Sequence, residues 1–107
     1  MIPDRGQVFA ALADPTRRRL VELLADGEQK TPTELAGALP ITRQGVSKHL
    51  AVLEAAGLVA SEQVGREKRY HFTAQPLEEP LEWIADITRQ WDRRLAKLRS
   101  YLEGDEP

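Results

Sequence analysis

At 107 residues, with 41% hydrophobic and 30% charged content, the chain is the size of one domain and too apolar to stay disordered. It has no cysteine, which excludes disulfides and thiolate metal sites, and no run of about 18 apolar residues that would span a membrane. The formal net charge of -2 suggests no polyanionic partner, but the charge is unevenly spread. Residues 76–107 carry eight acids against five bases, whereas residues 41–71 carry Arg43, Lys48, Arg66, Lys68 and Arg69 against Glu54, Glu62 and Glu67. Binding senses the local patch within a Debye length of about 10 Å, so the totals do not forbid nucleic acid. The N-terminal stretch lacks an apolar signal core, and a cytoplasmic location is the default expectation.

The first predicted helix covers Asp4 to Ala13, with Val8, Phe9 and Leu12 as its apolar stripe. Asp14-Pro15 then reads as an N-cap followed by proline at the first helical position, opening a helix to about Ala25 with Leu20, Leu23 and Leu24 inward. Thr31-Pro32-Thr33-Glu34 repeats the start signal, with a capping-box glutamate, and this short helix ends before Pro40. Thr42 opens a fourth helix that ends at Gly57. At about 100° per residue, Val46, Leu50 and Leu53 share one side, and Gln44 and Lys48 point nearly opposite with Ser47 beside them.

"LVASEQV" and "KRYHFTA" read as two strands joined by Gly65-Arg66-Glu67, a β-hairpin with a basic tip. In the second strand Tyr70 and Phe72 alternate with Arg69 and His71, giving one apolar and one polar face. After Pro76 a long helix runs to about Glu103. Its residues Ile84, Ile87, Trp91, Leu95, Leu98 and Leu102 recur at three- and four-residue intervals, close to a coiled-coil seam. Too few elements precede this helix to bury the stripe, so a second copy of the chain is expected to cover it, although an intrachain helix shows the same spacing.

The fold class is therefore mainly α with a small β-hairpin wing: a single winged helix-turn-helix domain over 1–107, with a core at about 4–73 and a dimerisation helix at about 76–103. In such a fold the third helix braces and the fourth enters the major groove of double-stranded DNA. Glutamine pairs with two sites on adenine, lysine reaches the acceptors of guanine, and serine suits base or phosphate, which makes Gln44, Ser47 and Lys48 the candidate readers. Thr42 and Arg43, at the positive end of the helix, suit phosphate. Arg66, Lys68 and Arg69 are candidates to grip the backbone or an adjacent minor groove.

"ALADPTRRRLVELL" followed by "TELAGALPITRQGVSKHLAVLEAAGLV" resembles the ArsR family of bacterial winged-helix repressors over about residues 7–103. The resemblance implies a homodimeric repressor on a palindromic operator near its own promoter, and it places Ser47, Lys48 and His49 in the recognition helix. Metal-sensing members carry a Cys-x-Cys-Asp pattern where this sequence has Thr31, Thr33 and Glu34, and threonine supplies no soft thiolate. The long helix has acids but no histidine for the family's second metal site. No metal and no cofactor are expected; any small-molecule effector is unknown.

Bland readings accompany these. His49 lies about 60° from the apolar centre of its helix, which suits a half-buried packing residue as well as a phosphate donor. Arg17, within the "DPTR" phrase, is the best of three consecutive arginines as a phosphate contact, but simple exposure fits too. His71 suits a structural role and Trp91 an anchor at the seam. No nucleophile elbow, phosphate-cradling loop or His/acid constellation suggests an enzyme. The competing classes are a ligand- or metal-responsive repressor with an unrecognised sensor site, and a winged-helix protein-interaction module.

Overall fold

A side-chain cap starts each of the first four helices, and these caps place the elements. In the computed structural model, which describes residues 4–104, the order is α1 (Arg5–Ala11), α2 (Pro15–Leu24), α3 (Pro32–Gly37), α4 (Arg43–Ala55), β1 (Val59–Val64), β2 (Glu67–Phe72), a 3-10 turn (Gln75–Leu77) and α5 (Glu78–Leu102). Asp4 accepts from the Gln7 N–H while the Gln7 side chain returns to the Asp4 N–H. Thr31 and Glu34 close the same reciprocal box on α3. Asp14 accepts from the Arg17 N–H at 3.0 Å, and Thr42 accepts from the Gly45 N–H at 3.0 Å. Each satisfies a donor that the first helical turn leaves without an intrahelical partner.

The first helix is shorter than the sequence predicts. It stops at Ala11, ahead of Asp14, which is extended before Pro15, and arginines of α2 satisfy the carbonyls at its end: Arg17 donates to Ala10 and Ala11, and Arg18 to the cap residue Leu12. Its buried pair is Val8 and Ala11, with Leu12 half-buried, while Phe9, expected inward, is 38% exposed. Leu20 and Leu24 are buried as expected, and Leu23 is half-buried.

The chain divides into two compact units, one up to Leu77 and one from Glu78. In the first, Val8, Ala11, Leu20, Leu24, Leu35, Val46, Leu50, Leu53, Leu58 and Val59 form one apolar core closed by the Tyr70 ring. The α4 residues predicted to face inward are its centre: Val46, Leu50 and Leu53 are fully buried. α4 is thereby fixed in rotation, and its opposite face is necessarily outward.

β1 and β2 pair antiparallel from Val59 opposite Phe72 to Val64 opposite Glu67. The connection is the two residues Gly65-Arg66, with Gly65 at φ +63°, and Glu67, expected in the turn, belongs to β2. A left-handed first position is what a tight primed hairpin turn requires. The strand gains a neighbour the sequence did not announce: Lys30 and Tyr70 exchange both backbone hydrogen bonds, at 2.9 and 2.8 Å. This bridge ties the segment before α3 to the hairpin.

Pro76 lies in the 3-10 turn that ends the first unit, and the second unit opens with α5 at Glu78. Ile84, Ile87, Trp91, Leu95, Leu98 and Leu102 are all exposed, from 37% for Ile87 to 72% for Leu102. Among the described residues no helix is long and apolar enough to cross a membrane.

Candidate nucleic-acid interface

The core-facing side of α4 determines what its other side offers. With Val46, Leu50 and Leu53 inward, Arg43, Gln44 and Lys48 are exposed, and Ser47 is half-buried beside them. Arg43, Gln44 and Lys48 form no hydrogen bond or ion pair among the described residues. Thr42 is exposed but its hydroxyl oxygen is committed to the Gly45 N–H, so it holds the helix start in place.

The hairpin separates the three bases predicted for it. Arg66 stands exposed at the tip, where the Gln63 side-chain amide donates to the Gly65 carbonyl at 3.2 Å and closes the turn. The Lys68 ammonium lies 5.6 Å from the centre of the Tyr70 ring, so a buried aromatic steadies an exposed cation. Arg69 differs from the expectation. Alternation along β2 puts it on the other face, half-buried, with one guanidinium nitrogen 2.8 Å from Glu67 and Nε buried without a partner. Its charge also helps to hold the Glu34 carboxyl below its ordinary value, after the larger effects of the Thr31 backbone and hydroxyl. Arg69 faces acids of its own chain.

The arginine run is likewise occupied. Arg19 pairs with Glu22 at 3.1 Å and Arg18 donates to Leu12, so neither resembles an open clamp. Arg17 donates through Nε to the Ala11 carbonyl at 2.7 Å and through a terminal nitrogen to Ala10 at 3.2 Å. Its other terminal nitrogen is 3.4 Å from Nδ1 of His49. The same ring nitrogen is 3.9 Å from the Asp14 carboxylate. The "DPTR" and "SKH" phrases, 32 residues apart, thus meet side by side. No local signal in the sequence announces that contact. Asp14 is held below the usual carboxylate value, chiefly by the Arg17 backbone N–H, with smaller help from the Thr16 backbone and the Arg17 charge.

A helix-turn-helix domain family matches residues 12–62, from the end of α1 through α4 into β1. The HTH-type transcriptional regulator Rv2034 of Mycobacterium tuberculosis is 39% identical over 106 residues, covering 97% of this chain and 94% of that protein. An ArsR-like transcriptional regulator from Rhodococcus sp. RHA1 superimposes with a TM-score of 0.77 at 40% identity, covering 94% of this chain and 92% of that one. The chain belongs to the ArsR family. This ArsR-family protein is a winged helix-turn-helix transcriptional regulator that binds DNA. A further relative, the transcriptional repressor SdpR of Bacillus subtilis, is 28% identical over 90 residues, or 84% of this chain and 99% of its own.

Proposed function

We propose that this ArsR-family regulator is a homodimeric repressor that reads a two-fold symmetric operator, without a metal. The observation that carries the reading is the face of α4: Arg43, Gln44 and Lys48 are exposed, with no side-chain partner among the described residues, on a helix whose rotation the buried Val46, Leu50 and Leu53 determine. Gln44 and Lys48, with Ser47, meet base edges in the major groove. Arg43 meets phosphate at the helix start, and Arg66 and Lys68 grip the backbone from the wing. Arg69 is left out because Glu67 occupies it, and Thr42 acts as a cap. Repression as the sign of regulation follows the name of SdpR.

The dimer reading rests on α5. Its exposed stripe is symmetric in sequence about Trp91: Ile87 and Leu95 lie four residues to either side, Ile84 and Leu98 seven. Charge runs the other way. Between Glu78 and Leu102, Glu78, Glu79, Glu82 and Asp86 against Arg89 precede Trp91, whereas Arg93, Arg94, Lys97 and Arg99 against Asp92 follow it. Two copies of such a helix match best antiparallel, with Trp91 at the two-fold axis and each acidic half beside the partner's basic half.

The deciding experiment is a gel shift of chelator-treated protein on DNA from upstream of its own coding region, beside an unrelated fragment of equal length. Selective retardation at about physiological salt, where non-specific binding is only about 10⁻⁴–10⁻⁶ M, supports a metal-independent autorepressor. Retardation that appears only when a metal is added back would replace this reading with the metal-responsive one.

A further inference from the structure

The contact between Arg17 and His49 has a chemical direction. A guanidinium has donors and no acceptor, so a hydrogen bond at 3.4 Å requires Nδ1 of His49 to carry a lone pair. Such a bond exists only in the Nε2–H tautomer. Arg17 is itself immobilised, since its remaining nitrogens hold the Ala10 and Ala11 carbonyls at the end of α1. One side chain of α2 therefore joins the end of α1 to the middle of α4.

We infer that Arg17 and His49 form a positioning contact that sets the seat of α4 on the domain, and that protonation of His49 releases it and weakens operator binding. The inference rests on α4 being the reading helix. Among the described residues, the charged groups in contact with the ring are Asp14 at the start of α2 and Arg17 within it, and the α1 groups that Arg17 holds are the Ala10 and Ala11 carbonyls. On α4 itself, the residues one turn away, Gly45 and Leu53, carry no charge. When the ring is protonated, Nδ1 gains an N–H that points at a guanidinium that can only donate. The ring's remaining attraction is to Asp14, whose nearer oxygen already accepts from the Arg17 N–H and caps α2. Turning toward Asp14 gives up the link to the Arg17 side chain, and with it the tie to the end of α1. His49 is a positioning residue in this account, not one that touches DNA.

This sign separates the inference from the simpler alternative. A histidine that touches phosphate binds DNA more tightly as it charges, whereas a histidine that must accept from Arg17 binds it less tightly. Two measurements test the contact, the first without DNA. Nitrogen-15 NMR of the histidine rings at about pH 8 is expected to show His49 as the Nε2–H tautomer; the Nδ1–H tautomer would overturn the inference.

The second measurement is operator affinity by fluorescence anisotropy from about pH 8 to about pH 5.5, the range over which an imidazole ordinarily charges. Affinity is expected to fall about fivefold on acidification, the equivalent of one net hydrogen bond of about 1 kcal/mol. His49→Asn, whose side-chain oxygen can replace Nδ1 as acceptor, is expected to hold wild-type affinity at the upper pH and to lose the pH dependence. His49→Leu is expected to bind weakly throughout. His71 and the terminal amine remain in both variants, so a slope that survives in His49→Asn comes from another group and overturns the inference. So does affinity that rises, or stays flat, as the pH of the wild-type protein falls. Operator binding at both pH values with no slope would leave the DNA-reading assignment standing and remove only this contact.

Discussion

Gln44 and Lys48 stand about 40° apart on α4, one turn from each other, on the side that the core leaves out. If they read base edges, Gln44→Ala and Lys48→Ala each cost about 1–3 kcal/mol on the operator and relax base preference. Competition binding against single-base operator variants checks this; an equal loss on operator and random DNA would show backbone contact alone. Arg66 is a different kind of residue, exposed at a hairpin tip with no fixed geometry to read a base. Its replacement by alanine should weaken all sequences alike and lower the salt slope by about 1, measured from affinity against salt concentration. The carboxylates add a pH dependence to stability. Asp14, Asp26 and Glu34 are all held below their ordinary values, chiefly by the Arg17 backbone, the Lys30 side chain and the Thr31 backbone respectively. Each takes up its proton more readily in the unfolded chain, so their stabilising effect is full above the ordinary carboxylate range and is lost as pH falls through the lower folded values. Their contribution to the melting temperature should thus be constant near about pH 6 and decline below about pH 4, and Asp14→Asn combined with Glu34→Gln should soften that decline.

At the scale of elements, what was legible in the sequence is what local chemistry determines. Asp14-Pro15, Thr31-Pro32 with Glu34, and Thr42 each announce a helix start, and each is a cap in the structure. The buried side of α4 follows from the spacing of Val46, Leu50 and Leu53 alone. What escaped the sequence depends on partners far along the chain. Arg17 and Arg18 reach back to the carbonyls at the end of α1, and Phe9 stays exposed while Ala11 is buried. Arg69 looked like a third wing cation, but strand alternation turns it toward Glu67. The Lys30–Tyr70 bridge and the meeting of Arg17 with His49 have no local sequence signal at all. The cap at Thr42 has a consequence for binding as well as for folding. Thr42→Ala should cost about 1 kcal/mol of stability in denaturant unfolding. It should also weaken the operator complex, because the first turn of α4 carries Arg43 and Gln44 and frays without its cap.

For the whole molecule, the open question is how one reading helix becomes two at a defined spacing. A two-fold dimer predicts half-sites about 34 Å apart, or a multiple of that, which footprinting would show as two protected patches on one face of the duplex. The exposed stripe of α5 offers the means, and its symmetry about Trp91 makes the orientation testable. In an antiparallel pair, position 87 of one copy meets position 95 of the other, while in a parallel pair each position meets itself. Leu95→Glu alone places an unpaired carboxylate in an apolar seam and should give monomers in light scattering, with poor operator binding. Ile87→Lys alone should do the same. Combined in one chain, the two changes set a lysine opposite a glutamate twice over if the helices are antiparallel, and the dimer and its operator affinity should return in part. In a parallel pair the same chain faces lysine with lysine and glutamate with glutamate, and the dimer is lost more completely than with either change alone. Failure of the double variant to recover, with each chain still folded by circular dichroism, would therefore rule out the antiparallel seam. Survival of the dimer in both single variants would remove α5 from the interface altogether.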